Sequence, residues 1–173
     1  VGEKKRKKIA YCLFLALFLL SCQISRLPVG LTAQLQRVNS GQTLEVLITS
    51  NLIERVRLIG IQAPDLAQQP WGKAAKEELE TLLRENNDRQ LVLLESDGTE
   101  KDRFGRRLAH VWKNEVLVTE KLVARGYALA DLEFTHKYSK RLMRAQEYAR
   151  LMGYGIWNPS QPLRLSPAEF RKQ

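Results

Sequence analysis

Three apolar-alternating runs, separated by turns of only a few residues, occupy the first half of the chain and restrict its topology. Thr32 to Val38 alternates loosely, with Leu35 and Val38 on one side. Asn39-Ser40-Gly41-Gln42 supplies turn chemistry, and Thr43 to Thr49 then places Leu44, Val46 and Ile48 on one face. Ser50-Asn51 turns again, and Ile53 to Ile61 carries Val56, Leu58 and Ile61. A period of two residues is the signature of a half-buried strand. Connections this short join antiparallel neighbours, because a parallel pair needs a crossover of about a dozen residues or more. An antiparallel meander is therefore predicted.

The pattern then changes period. Trp71, Ala75, Leu79 and Leu82 recur at helical spacing with Glu77, Glu78 and Arg84 between them, and Asn86-Asn87-Asp88 stops the run. Leu91 to Leu94 and Leu108 to Trp112 are two further strands, with Asp97-Gly98 opening a loop between them. A second helix is predicted from about Val118 to Ala124, capped by Gly126. A third covers Ser139 to Met152, with Tyr138, Leu142, Ala145, Ala149 and Met152 facing inward and Gly153 and Gly155 closing it. The order β-β-β-α-β-β-α-α predicts an α+β fold: a small closed five-stranded barrel with three helices, rather than a parallel sheet. The tail, 159–173, contains three prolines, Pro159, Pro162 and Pro167, and is predicted to pack loosely.

Ahead of the barrel stands a leader. The basic run Lys4 to Lys8 precedes twelve apolar residues, Ile9 to Leu20. A bilayer span needs about 20 such residues, whereas a signal sequence needs about 7–15. Leu19-Leu20-Ser21-Cys22 resembles the lipobox of bacterial lipoproteins, in which the cysteine becomes the lipidated first residue. A plain secretory signal and an uncleaved anchor are the alternatives. The predicted organisation is a signal peptide at 1–22, a linker at 23–31, a barrel domain at 32–158 and the tail. The expected location is exported and lipid-anchored to a bacterial membrane through Cys22. Cys12 would leave with the leader, so no disulfide is expected in the mature domain. The formal charge is +9; Glu3 and Lys4 to Lys8 carry +4 of it, which leaves +5 on the remainder. A mildly basic body favours polyanions without selecting one.

Several segments together are similar to the thermonuclease family, the staphylococcal-nuclease-like enzymes of OB fold. They are RLIGIQAPD after a hairpin, WGKAAKE opening a helix, DRFGRRLAHVW, LVARGYA and a closing GIW. The similarity runs from about Gln36 to Trp157. It implies a phosphodiesterase of endonuclease type that cleaves DNA or RNA by calcium-assisted attack of water. It also implies site positions. The family's two clamp arginines match Arg57 and Arg106, and its proposed general base matches Asp65, which is Asp here rather than Glu. Guanidinium suits the clamp because its planar fork offers paired hydrogen bonds to phosphate oxygens. Phe134 and Arg103 are carried over as substrate-contacting positions, with Leu132 able to give only apolar contact.

The metal positions depart from the family. Its two calcium-binding aspartates match Gln42 and Gln62, and the residue that offers a backbone carbonyl matches Ala63. A neutral amide can coordinate calcium but adds no charge, so calcium binding is expected to be weak or absent. Bland alternatives accompany each site residue. Arg57 could pair with Glu45 on a neighbouring strand, Arg106 with Asp102 in its own turn, and Asp65 could simply form a turn after Pro64. Glu45, Asp97 and Glu100 are the other acids to consider near the metal position. His110 and His136, far apart in sequence, match no family catalytic position and are expected to be structural or solvated, with no metal set. The basic stretch Lys137, Lys140, Arg141 and Arg144 reads as a solvated helix face or as a backbone- or lipid-holding surface. Three activities remain in play: a nuclease with altered metal use, a non-catalytic module for nucleic acid or another anionic ligand, and a membrane-anchored interaction scaffold.

Overall fold

The computed structural model describes residues 27–84 and 90–173. The expected leader with Cys12 and Cys22, the first part of the linker, 23–26, and the Asn86-Asn87-Asp88 helix stop lie outside the described residues.

The predicted meander forms. Strands β1 (Leu31–Ser40), β2 (Thr43–Thr49) and β3 (Leu52–Leu58) pair antiparallel, with Val38 opposite Leu44 and Leu44 opposite Val56. Alternate side chains of these strands turn inward: Leu44, Val46, Val56 and Leu58 are fully buried. Strand β5 (Leu91–Glu95) adds to the far side of β1, and β6 (Arg107–Lys113) adds to β5, both antiparallel. The sheet then closes on itself, because β6 also pairs parallel with β3, Val56 lying opposite Arg107 and Arg57 opposite Leu108. The result is a closed barrel of five strands with α+β composition. Closure has a direct consequence for the site, since it sets Arg57 beside the residues that open β6.

The long third strand expected from Ile53 to Ile61 is interrupted. It ends at Leu58, the chain turns at Gly60 with φ +80°, and the two-residue strand β4 (Ile61–Gln62) pairs instead with β8 (Leu129–Ala130). A further short strand, β7 (Val116–Leu117), returns from β6.

Helix α1 (Trp71–Leu83) buries Gly72, Ala75, Leu79 and Leu83 against the barrel. Leu83, rather than the expected Leu82, is the fully buried residue of the last turn. Helix α2 (Val118–Ala124) follows β7 directly and buries Leu122 and Val123. Helix α3 (Ser139–Met152) buries Leu142, Ala145 and Ala149 and ends on Gly153, which takes the left-handed conformation at φ +64°. Its predicted inward stripe stops at Ala149, for Met152 is half exposed. A 3-10 turn at Gly155–Trp157 follows.

The tail was expected to pack loosely, yet it carries a fourth helix, α4 (Pro167–Phe170). Ser166 and Glu169 form a reciprocal capping box, Pro167 is buried, and the Gln68 side chain donates to the Leu165 carbonyl at 3.0 Å. Proline-rich composition misled here because Pro at the first helical position supports a helix, its missing N–H having no intrahelical partner in any case. Among the described residues no helix is long and apolar enough to cross a membrane.

Candidate phosphate-binding cleft

The β3–β6 closure opens a cleft of about 550 Å³ whose walls include Arg57, Arg106, Lys101, Asp102, Asp131 and Phe134. Both arginines singled out in the sequence therefore face one cavity, although 49 positions separate them in the chain.

Arg57 has an unusual set of partners. Its Nη2 donates to the Ile61 carbonyl at 2.6 Å and its Nη1 to the Leu58 carbonyl. Among the described residues it forms no ion pair with a carboxylate. Glu45, the alternative partner, is engaged by Arg37, Arg55 and Asn39. Burial and the neighbouring Arg106 charge push the Arg57 pKa down to about 10; Asp131 and Asp102 oppose the fall, and Arg171 adds to it. The group stays protonated at neutral pH. A cation held by carbonyl dipoles and crowded by other cations favours a ligand that brings negative charge.

Arg106 is held differently. Asp102 accepts from its Nε at 2.7 Å and lies 2.7 Å from its Nη2, while Asp102 Oδ1 accepts the backbone N–H groups of Phe104 and Arg106. The DRFGRR segment is thus a turn closed by one carboxylate, with Gly105 at φ +75°. Burial alone would raise the Asp102 carboxyl, but those hydrogen bonds outweigh it and hold the pKa below its ordinary value. The pairing proposed for Arg106 as an alternative is present, and it orients the side chain along the cleft wall without removing it.

One exposed aromatic ring lines the cleft and a second stands on the turn that carries Arg106. Phe134 is 72% exposed and lines the cleft. Phe104, at the tip of the Arg106 turn, is 68% exposed, with the Arg103 and Arg106 guanidinium carbons 4.8 and 5.3 Å from its ring centre. Arg103 thus lies against Phe104 and is not part of the cleft wall. Sequence reasoning passed over Phe104, although an aromatic residue in a glycine turn between arginines is a visible signal.

Of the remaining positions named from the sequence, Asp97 lines the cleft beside His136, whereas Asp65, Gln42, Gln62 and Ala63 lie outside its wall. Asp65 is exposed; its carboxylate accepts the Ala67 N–H at 3.0 Å, and its own N–H donates to Gln68 Oε1 at 2.9 Å. Gln42 Oε1 accepts the N–H of buried Ala63 at 2.9 Å, tying the first hairpin to β4. Gln62 Oε1 faces the Nη2 of Arg171 at 3.4 Å.

The two histidines are not scattered in space. Donor atoms of Asp97, His110 and His136 lie within 4.8 Å of one another, which corrects the expectation drawn from their separation in sequence. His110 is fully buried, with Nε2 3.1 Å from Asp97 Oδ2, and the same oxygen accepts the Lys137 N–H at 2.7 Å. His136 Nδ1 accepts the Tyr138 N–H at 3.2 Å, and its ring lies over Gly60, where a Cβ would come within 2.4 Å of Nε2. Burial lowers both imidazole pKa values, which favours neutral rings. Next to this trio, buried Glu95 accepts from Trp112 Nε1 at 2.8 Å and Tyr138 Oη at 2.7 Å, and pairs with Lys137 Nζ. The whole cluster braces the loop between β8 and α3, which carries Asp131 and Phe134 to the cleft.

With this geometry in place, likeness to known proteins is specific. The family profile described as Staphylococcal nuclease homologue matches residues 55–159. A thermonuclease of Staphylococcus hyicus is 32% identical over 133 residues, covering 73% of this chain and 76% of its own. A thermonuclease of Staphylococcus intermedius is 34% identical over 128 residues, covering 70% and 73%. A Haemophilus influenzae protein described as an uncharacterized endonuclease is 31% identical over 142 residues, covering 82% and 74%. Matched from β3 through the 3-10 turn after α3, and shared at over 30% identity with relatives across most of its length, the chain belongs to the staphylococcal nuclease family.

Proposed function

We propose that this protein binds the phosphodiester backbone of DNA or RNA in the Arg57–Arg106 cleft and hydrolyses it without relying on the family's calcium. One observation carries the reading: a guanidinium group from β3 and another from the turn before β6 converge on one open cavity, and Arg57 has only carbonyl partners there. In the mechanism, the two forks grip non-bridging oxygens of one phosphate. Water attacks in line with the leaving oxygen, whose bond to phosphorus breaks as the new one forms; the water gives its proton to solvent, the leaving oxygen takes one from solvent, and charge grows on the equatorial oxygens that the arginines already face. Donors fixed in advance at such a place are worth about 2.7–4 kcal/mol each. Phe134 and Phe104 offer exposed faces on which bases can stack.

The donor set does not suit calcium, which takes about 6–8 oxygen ligands, most often carboxylates. The Gln42 oxygen is engaged by Ala63 N–H, the Gln62 oxygen faces Arg171, and the Asp65 carboxylate is turned to Ala67 N–H. That last contact supports the turn role of Asp65 over its role as general base. No mechanistic step is assigned to calcium.

The test is cleavage of a single-stranded oligonucleotide with calcium, magnesium, manganese or EDTA. Activity is expected to persist in EDTA and to fall about 10²–10³-fold in Arg57→Ala or Arg106→Ala. If no condition gives cleavage above the Arg57→Ala variant, hydrolysis is ruled out. The neutral Gln42 and Gln62 favour a second reading, a binding module that holds nucleic acid without cutting it. Under that reading salt-sensitive binding survives while cleavage does not.

Export and lipidation at Cys22 belong to the same proposal, supported by the basic run, the apolar run and Leu19-Leu20-Ser21-Cys22. A labelled fatty acid incorporated into the wild type but not into Cys22→Ser is the expected result. Equal labelling of both would remove the lipid anchor.

A further inference from the structure

The family match ends at residue 159, and the chain beyond it forms a small docked unit. Gln68 is its mooring: Oε1 accepts the Asp65 N–H at 2.9 Å and Nε2 donates to the Leu165 carbonyl at 3.0 Å, so one buried side chain joins the tail to the turn after β4. Helix α4 then starts on the Ser166–Glu169 capping box and ends at Arg171. The box engages the Glu169 carboxylate, which accepts from Ser166 N–H at 2.8 Å and Ser166 Oγ at 2.7 Å.

This arrangement delivers Arg171 to Gln62, with Nη2 3.4 Å from Oε1. Gln62 directly follows Ile61, whose carbonyl holds the Arg57 fork. Two guanidinium groups therefore flank consecutive residues of one short strand. Among the described residues no carboxylate forms an ion pair with Arg171, and its side chain is exposed. Position 62 is where the family resemblance places a calcium-binding aspartate. An aspartate there would neutralise Arg171; the amide of glutamine touches it and leaves the charge free. The loss of a metal ligand and the arrival of an arginine thus meet at one point, and each makes sense of the other.

We propose that Arg171 is a third phosphate-binding residue, brought by the C-terminal helix to the edge of the Arg57–Arg106 cleft, where its fixed charge supplies to the nucleic-acid backbone what a metal cation would otherwise supply. The proposal rests on the assignment of the cleft to phosphodiesters. It makes the tail part of the binding site. The long-range repulsion between Arg171 and Arg57 agrees with both groups facing the same region.

The experiment measures binding of a fluorescent single-stranded oligonucleotide to the full chain in EDTA, over a series of salt concentrations. Wild type, Arg171→Ala, Arg57→Ala, Gln62→Asp and the Gln62→Asp/Arg171→Ala double variant are compared, with thermal unfolding as a check on folding. Arg171→Ala is expected to keep its melting temperature, to bind about tenfold more weakly, and to lower the log–log salt slope by about 0.7, one phosphate contact on a single strand. Gln62→Asp is expected to weaken binding similarly, by capturing Arg171. Adding it to Arg171→Ala should cause a clearly smaller loss than it does alone.

Wild-type affinity and slope in Arg171→Ala, with both reduced in Arg57→Ala, would overturn the role of Arg171 and leave the cleft assignment standing. If Arg57→Ala also binds like wild type, the cleft assignment itself fails and takes this proposal with it. An equal penalty from Gln62→Asp with and without Arg171 would likewise overturn it, since the new carboxylate would then act on something else.

Discussion

Arg57 keeps its charge where burial works against it, and its chemistry explains why arginine stands there. A lysine would meet the same burial with a lower intrinsic pKa and a single point of contact, whereas a fork can hold two carbonyls and still present an edge to the cleft. Arg57→Lys is therefore expected to lose nearly as much oligonucleotide cleavage as Arg57→Ala; recovery to within about threefold of wild type would mean that only charge matters there. Gly60 is a second residue with no latitude. Its φ is +80°, and a Cβ at this position would lie 2.4 Å from His136 Nε2, so there is no room for a side chain. Gly60→Ala is expected to cost about 1–3 kcal/mol in urea unfolding and to disturb the loop carrying Phe134, read as weaker oligonucleotide binding. Gly60 and Arg57 were both on view in the sequence. Their constraints were not, because the residues that impose them, Ile61 and His136, approach through the turn after β3 and from the loop before α3.

Among the elements, the tail is joined to the turn after β4 by one buried polar side chain. Gln68 bonds both Asp65 and Leu165, so removing it leaves the Asp65 N–H and the Leu165 carbonyl without this partner. Gln68→Ala is expected to raise amide hydrogen exchange in 163–171 by an order of magnitude or more while protection in β1 and β2 stays unchanged; uniform change across the chain would show that tail and barrel unfold together. Helix and strand were legible where the apolar period ran for several turns or residues, as in β2, α1 and α3. The two-residue strands β4, β7 and β8 were not, since two residues carry no period. Their pairing comes from the barrel mouth holding the β3 exit and the α2–α3 loop side by side. The tail helix was hidden for another reason: four residues are too few for amphipathicity, and its stability comes from the cap and the docked Pro167.

For the whole molecule, acid sensitivity follows from what the barrel buries. Burial lowers the folded pKa of His110 and His136 below the unfolded value of 6.5. The unfolded chain then binds more protons, so this contribution is fully present above pH 6.5 and fades as pH falls through the folded values. Glu95, Asp97 and Asp102 are also lowered, their hydrogen bonds outweighing burial, and their contribution fades at still lower pH. The melting temperature is expected to decline first as pH falls below about 6.5 and again in the carboxylate range, and His110→Gln should flatten the first decline. A first decline unchanged in that variant would assign it elsewhere.

Local pattern was enough to determine the antiparallel meander, the three longer helices and the closed barrel, because alternation, helical period and short turns are properties of neighbours in the chain; the candidacy of Arg57 and Arg106 came from the resemblance of whole segments to a known family. Only the tertiary structure decided what surrounds those arginines. It turned Asp65 outward, gathered Asp97 and His136 around the buried His110, and set Arg171 against Gln62. Each of these joins residues from different elements, and distance across a closed barrel depends on how the sheet meets itself rather than on separation along the chain.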